Sequence, residues 1–368
     1  VASLDFGALE ERFPGLRRYL AAKFGPDAGF ASAEPLATTP GAKGGGYGVP
    51  QLIHWRSADG EHRYVLETVR PGAFGHEDRA DRAGLVLRAL DDYGDLPNHV
   101  RAVDAGALSR VGPAVGLAGT GEFFVLTEFV EGEPYARDLE RIEMHGRIEP
   151  LDRDRATALA DYLAGIHREP IAHETWYRRR LRDLGGSGEC IAGIADSYPA
   201  GDLPDAAFLE RVESIVLRWR YRLRDRSERL RRIHGDFHPW NILFREATDF
   251  TALDRSRGRY GDPADDVAAL AINYVFFALR GGGRFHGPFA ELFRLFWNRY
   301  LVSSGDRALA DVIAPHFAFR ALVLANPLWY PAEARATRRA LLGFTLGVLE
   351  SERFEPAGME ELLTRGGP

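Results

Sequence analysis

The hydrophobic period of this chain changes once, near Gly132, and that change demands two parts of unlike architecture. Before it, Phe30–Ala37, Tyr47–Arg56, His62–Val69 and Glu122–Val130 read as strands, with turn signals over residues 39–46 and 57–60. A helix over Asp78–Tyr93 interrupts them, with Leu85, Leu87 and Leu90 on one stripe. Leu4–Phe24 reads as an amphipathic opening helix. Beyond Gly132, helices are expected over Asp154–His167, parts of Ala206–Ile233, Pro263–Leu279, Phe285–Ser303 and much of Leu309–Phe354. Strand-like pieces there are confined to Ile242–Phe244 and Phe250–Leu253. The pattern predicts an α+β fold: a small β-rich lobe over residues 1–131 and a larger helical lobe over residues 132–368.

The bulk numbers narrow the function. With 368 residues, 45% of them hydrophobic and 27% charged, the chain can bury a substantial core. A formal net charge of −6 argues against a broad nucleic-acid-binding surface. A single cysteine, Cys190, excludes an intramolecular disulfide and a cysteine zinc cluster. The longest nearly apolar run, Val267–Leu279, is too short to span a bilayer and contains Asn273, so no membrane partner is expected. Acids at Asp5, Glu10 and Glu11, without a basic-then-apolar leader pattern, favour a cytoplasmic location. Of 47 basic residues only Lys23 and Lys43 are lysine, which leaves two candidates for chemistry that needs a compact ammonium.

The densest chemical signal is His234-Gly235-Asp236-Phe237-His238-Pro239-Trp240-Asn241. Asp254 follows at the end of the next apolar strand, and Gly261-Asp262-Pro263-Ala264-Asp265-Asp266 then opens a helix. An Asp and an Asn five apart on an irregular loop can face one cleft. The first can take a proton from a hydroxyl, and the amide oxygen of the second, with a further carboxylate, makes a hard-oxygen site suited to magnesium on phosphates. Around this core the unremarkable roles are assigned first: His238 to loop packing, Trp240, Trp297, Tyr300, Trp329 and Tyr330 to the core, and the 77–82 charge run to a solvated face. His54, His62 and His76 lack a metal spacing and read as surface residues.

This constellation resembles the aminoglycoside phosphotransferase and choline kinase family, which shares the protein-kinase fold. The match is densest over Ile233–Leu270 and extends to Phe123–Gly132 and to the helix ending at His167. The resemblance implies ATP and Mg2+ as cofactors. It makes Asp236 the catalytic base, Asn241 and Asp254 the metal ligands, and His234 and Asp266 supports of the loop. It also places the adenine edge against the backbone of Glu128 and Val130. The Gly-rich stretch Gly41–Gly48 stands where the family's phosphate-covering loop belongs, so Gly44, Gly45 and Gly46 are expected at the nucleotide.

One position departs from the family. On the third strand, Tyr64-Val65-Leu66-Glu67-Thr68, Glu67 stands where a phosphate-binding lysine is expected. A carboxylate about 4 Å from a phosphate charge is repelled by roughly 4 kcal/mol at an effective dielectric of 20. A bridging cation, or pairing of Glu67 with Arg82 or Arg79, would relieve it. Lys43, inside the Gly-rich stretch, is the lysine able to supply the missing contact. The expected activity is transfer of the γ-phosphoryl of ATP to a hydroxyl of a small molecule; a homodimer is compatible with it. The alternative is a pseudokinase that binds a nucleotide or a protein partner without turnover. Between Ala264 and the C-terminus stand eleven acids and eleven arginines, a balance that does not favour a polycationic acceptor.

Overall fold

In the computed structural model, residues 6–26, 31–36, 48–71, 76, 79–109, 120–255 and 257–364 are described. They fall into two units that meet in sequence between Glu131 and Gly132.

The first unit opens with two helices rather than one, α1 (Phe6–Arg12) and α2 (Leu16–Phe24). Pro14 and Gly15 break the expected single helix, with Gly15 at φ +93°, a left-handed conformation that glycine adopts without strain. The Glu10 carboxylate then accepts the Gly15 N–H at 2.9 Å and the Arg17 N–H at 2.8 Å, satisfying donors at the start of α2. The sheet comprises β1 (Ala31–Pro35), β2 (Gly48–Ser57), β3 (Gly60–Val69), β4 (Ala102–Ser109) and β5 (Thr120–Glu128). Its order is β1-β2-β3-β5-β4, every neighbour pair antiparallel. Helix α3 (Arg79–Asp92) follows β3 in the chain and packs on β5. Leu16 and Leu20 of α2 join Ile53, Trp55, Leu66 and Leu126 in one buried cluster on the sheet.

The second unit is mostly helical. Its strands are β6 (Glu133–Pro134), β7 (Arg231–Arg232), β8 (Ile242–Phe244), β9 (Phe250–Ala252) and β10 (Tyr260–Gly261). They form a three-stranded β6-β8-β9 sheet and a β10-β7 pair. The helices before β7 are α4 (Tyr135–His145), α5 (Pro150–Ile166), α6 (Glu174–Gly186), α7 (Ile191–Asp196) and α8 (Ala206–Leu223). After β10 come α9 (Ala264–Gly282), α10 (Gly287–Ser304), α11 (Leu309–Val312), α12 (Ala314–Ala325), α13 (Arg335–Glu350) and α14 (Met359–Thr364). Helix α9 is buried from Ala264 to Leu279 and, beyond Asp265 and Asp266 in its first turn, apolar on every face, with α4, α10, α12 and α13 packed around it. Its one mid-helix amide, Asn273, donates to the Ala269 carbonyl at 2.7 Å. No helix among the described residues is long and apolar enough to cross a membrane. The first turn of α9, fixed by this burial, is the rigid post to which the loop over residues 233–241 is tied.

Candidate active site

The loop between β7 and β8 is held from below by one carboxylate. Asp266, in the first turn of α9 and fully buried, accepts the His234 N–H and the Gly235 N–H at 2.7 Å each. The same carboxylate lies 3.0 Å from His167 Nε2, whose Nδ1 is 2.9 Å from the Tyr300 hydroxyl. Burial pushes the Asp266 carboxyl up, but the His167 bond and the backbone donors outweigh it and keep it below the ordinary value. Gly235 turns the chain at φ +89°, and an added Cβ there would stand 3.2 Å from the Arg257 side chain. His234 is wholly buried, which lowers its pKa to about 4 and leaves it neutral; its Nδ1 accepts the Asp236 N–H at 3.2 Å. The opposite end of the loop is closed by Asn241, whose Nδ2 donates to the Asp236 carbonyl at 3.1 Å.

Asp236 is thereby fixed by backbone contacts on both sides, and its side chain is 8% exposed. Arg320 of α12 binds its Oδ1 through Nη1, while the Arg320 Nη2 reaches the Gly235 carbonyl at 2.8 Å and Asp265 at 2.9 Å. His238 Nε2 stands 3.5 Å from Asp236 Oδ2. Burial raises the Asp236 carboxyl, yet Arg257, His238 and Arg320 together hold it well below the usual carboxylate range. The group is therefore an ionised carboxylate at neutral pH.

Asp254 and Asn241 are brought together through the backbone, since Leu253 N–H donates to the Asn241 carbonyl at 2.8 Å. Asp254 is exposed and sits at φ +56°, a strained conformation for a residue with a side chain. With its nitrogen committed to Asp236, Asn241 can offer its amide oxygen, and Asp254 offers a carboxylate: two hard oxygens. No group of three His, Cys, Asp or Glu side chains able to hold a metal occurs among the described residues. Two hard oxygens could hold an ion that takes the rest of its shell from water or phosphate oxygens.

In the first unit Glu67 occupies a central strand position, opposite Pro50 on β2 and Val125 on β5. Its Oε1 fills the place that a Cβ on Gly48 would take, so the carboxylate lies across that glycine, the last residue of the Gly-rich stretch and the one of it that is described. Arg82 is buried rather than solvated, and its fork holds Glu122 through Nε and Nη2 at 2.8 Å each. His76 also differs from the surface role expected of it: it is 1% exposed, and its carbonyl accepts Arg82 Nη1 at 2.7 Å. Glu128 ends β5 with its N–H on the Arg101 carbonyl at 3.1 Å, and Val130 follows it two residues on. Lys43, Gly44, Gly45 and Gly46 lie outside the described residues.

Four side chains that sequence reasoning did not single out complete the second unit's site. They are His167, Arg255, Arg257 and Arg320. Arg255 is fully buried, and donates to the Ile233 carbonyl at 2.9 Å and the Arg259 carbonyl at 2.8 Å, tying the loop's entry to the segment after Asp254. Arg320 and Asp236 are 84 residues apart in sequence, and nothing marks Arg320, the one arginine of α12, as a partner of Asp236 before the chain is folded.

A β-rich first unit, a helical second unit and this loop define a protein-kinase-like fold. The family model described as "Phosphotransferase enzyme family" matches residues 51–301, and the chain belongs to that family. Among solved structures, an amicoumacin kinase in complex with AMP-PNP, Ca2+ and Ami is similar at TM-score 0.52 and 14% identity, over 89% of this chain and 91% of that one. An aminoglycoside phosphotransferase from Streptomyces rimosus, in complex with ADP and streptomycin, is similar at TM-score 0.44 and 20% identity, over 82% and 98%. A macrolide 2'-phosphotransferase type I gives TM-score 0.47 and 18% identity over 100% of both chains. No curated protein matches the chain by sequence.

Proposed function

We propose that this chain moves the γ-phosphoryl group of ATP to a hydroxyl of a small molecule, with Asp236 as the group that orients the hydroxyl and takes its proton. The observation that carries this reading is the fixed, ionised Asp236 carboxylate on a loop bound to Asp266, in a chain of the phosphotransferase family. In the reaction a bond forms between the acceptor oxygen and the γ-phosphorus as the bond to the bridging oxygen of ADP breaks. The hydroxyl proton passes to Asp236. A depressed pKa makes Asp236 a weak base, which is adequate where the transition state is loose and the proton leaves late; orientation is then its main contribution. Asn241 and Asp254 would hold Mg2+, which when bound neutralises charge on the phosphate oxygens. His234 and Asp266 support the loop. Glu128 and Val130 are assigned to the adenine edge, and Gly44, Gly45, Gly46 and Lys43 to the phosphates.

The test is Asp236→Asn. Transfer should fall by roughly 10²–10⁴-fold while nucleotide affinity stays nearly unchanged, because the lost interaction acts on the acceptor. Near-normal turnover would refute the assignment. A second reading, nucleotide binding without turnover, draws on Glu67, which stands where the family's lysine is expected. It requires that wild-type protein transfer no phosphate to any acceptor. Under the first reading Glu67→Lys is tolerated or strengthens ATP binding, and a much weaker affinity would give Glu67 a role of its own.

A further inference from the structure

The second unit encloses a small cavity, of about 20 Å³, between α6, the start of α7, the turn after Asp254, the start of α9 and α12; it is lined by Arg257, whose Cβ lies 3.2 Å from where a Cβ on Gly235, the residue before Asp236, would stand. That volume admits one oxygen-sized group. Arg257 and His316 both line it. The Arg257 Nη1 and both ring nitrogens of His316 are buried without a hydrogen-bond partner among the described residues, and His316 is 5% exposed. Unmade bonds at buried polar atoms are costly, by about 1–3 kcal/mol each, so an atom in the cavity, from a ligand or a water, is needed to complete them.

The acids in the same wall are already engaged. Asp262 is held bidentately by Arg229 at 2.8 Å, Asp265 by Arg320 at 2.9 Å, and Asp183 lies 3.4 Å from Arg179. Arg180 donates to the Arg257 carbonyl at 2.5 Å and stands 3.8 Å from Asp265. Burial lowers the His316 pKa, against the pull of Asp265 and Asp262, so the ring is neutral with one N–H to give. Tyr177 gives its hydroxyl to Asp262 at 3.2 Å, and Cys190 is a thiol, since burial pushes its pKa up to about 11. An incoming ammonium would meet guanidinium groups and carboxylates that already have partners, leaving the unprotonated nitrogen of His316 to accept from it. An incoming oxygen would meet donors that lack one.

We infer that this corner anchors the acceptor, and that the acceptor carries an oxyanion, a carboxylate or a phosphate, whose oxygen takes Arg257 Nη1 and His316 while its hydroxyl faces Asp236. The inference rests on the phosphotransferase reading and specifies its substrate class. Guanidinium groups match such oxyanions in charge and in geometry. Arg257 is also the foremost charge acting on Asp236. An anion on Arg257 would offset that charge and make Asp236 a better base in the loaded site than in the empty one.

The test pairs acceptors of equal length that differ in one end group: hydroxy acids and hydroxyalkyl phosphates against the matching amino alcohols, with kanamycin as a polycation. With Mg·ATP, the oxyanion members should be phosphorylated with kcat/KM at least roughly tenfold above their amine counterparts. Arg257→Gln and, independently, His316→Gln should raise KM for the acceptor by about tenfold or more, with KM for ATP changed less than about twofold. Equal or better transfer to the amines, or an acceptor KM within twofold of wild type in both variants, overturns the inference; a cavity filled by water alone gives that result. If no acceptor is phosphorylated, the phosphotransferase reading fails by itself. The anion site is then judged by the thermal midpoint of the whole protein in sodium sulfate against sodium chloride of equal ionic strength. A sulfate-specific rise lost in Arg257→Gln upholds the site, and equal rises in wild type and variant reject it.

Discussion

At the scale of single residues, the site is a set of buried charges that balance one another. Asp236 is held by Arg320, and Asp265 shares the same guanidinium. Arg320→Met removes a partner from two buried carboxylates at once and should destabilise the protein by about 3–5 kcal/mol, read as a lower denaturation midpoint in urea. A change below about 1 kcal/mol would mean that the pairs are not formed in solution. Lys43 belongs to the same scale. If Glu67 stands in for the strand lysine, Lys43→Ala should raise KM for ATP and lower kcat, a loss of roughly 2–3 kcal/mol. A solvated lysine would change ATP kinetics by less than about twofold, under 0.5 kcal/mol.

Among elements, the loop over residues 233–241 depends on the first turn of α9, and that dependence sets a pH response. His234 is neutral in the fold, with a pKa near 4, against about 6.5 when unfolded. Below the unfolded value the unfolded chain binds the extra proton first. The stability tied to neutral His234 is therefore complete above about pH 6.5 and is lost as pH falls toward 4, up to about 3 kcal/mol, with His316 acting in the same direction. The lowered carboxylates Asp236, Asp262 and Asp266 lose their contribution only below about pH 4, the ordinary carboxyl value. Thermal midpoints measured between about pH 7 and pH 4.5 should fall, and His234→Gln should flatten the slope. An unchanged slope in that variant contradicts the buried neutral histidine. The elements also differ in how much of them could be read beforehand. Strands β2 and β3 announce themselves by β-branched and aromatic residues between turn signals, and β5 by its apolar run Phe123–Leu126. Strand β4, Ala-Val-Asp-Ala-Gly-Ala-Leu-Ser, does not, because its small side chains leave room for neighbours: Gly106 admits the Phe124 ring to within 2.7 Å of where a Cβ would be. In the opening segment the apolar spacing runs on through Pro14 and Gly15 and hides the break between α1 and α2.

For the whole molecule, the loop and the start of α9 were legible because their residues, His234 to Asp266, lie within one short stretch and carry local turn and helix-start chemistry. The groups that hold Asp236 and Asp266 were not, because Arg257 and Arg320 at the first and His167 at the second arrive from elsewhere in the chain and only tertiary packing selects them. The second unit also limits what the chemistry can be: a fixed carboxylate, two hard oxygens at Asn241 and Asp254, and, among the described residues, unpartnered donors nearby. Phosphorus NMR of the protein with Mg·ATP and the hydroxyl acceptors tests that account most directly. The account predicts a new phosphomonoester resonance that grows as ADP appears, and that is lost in Asp236→Asn while the variant still binds ATP. An unchanged ATP spectrum with every acceptor, or an equal rate in the Asp236→Asn protein, would contradict it.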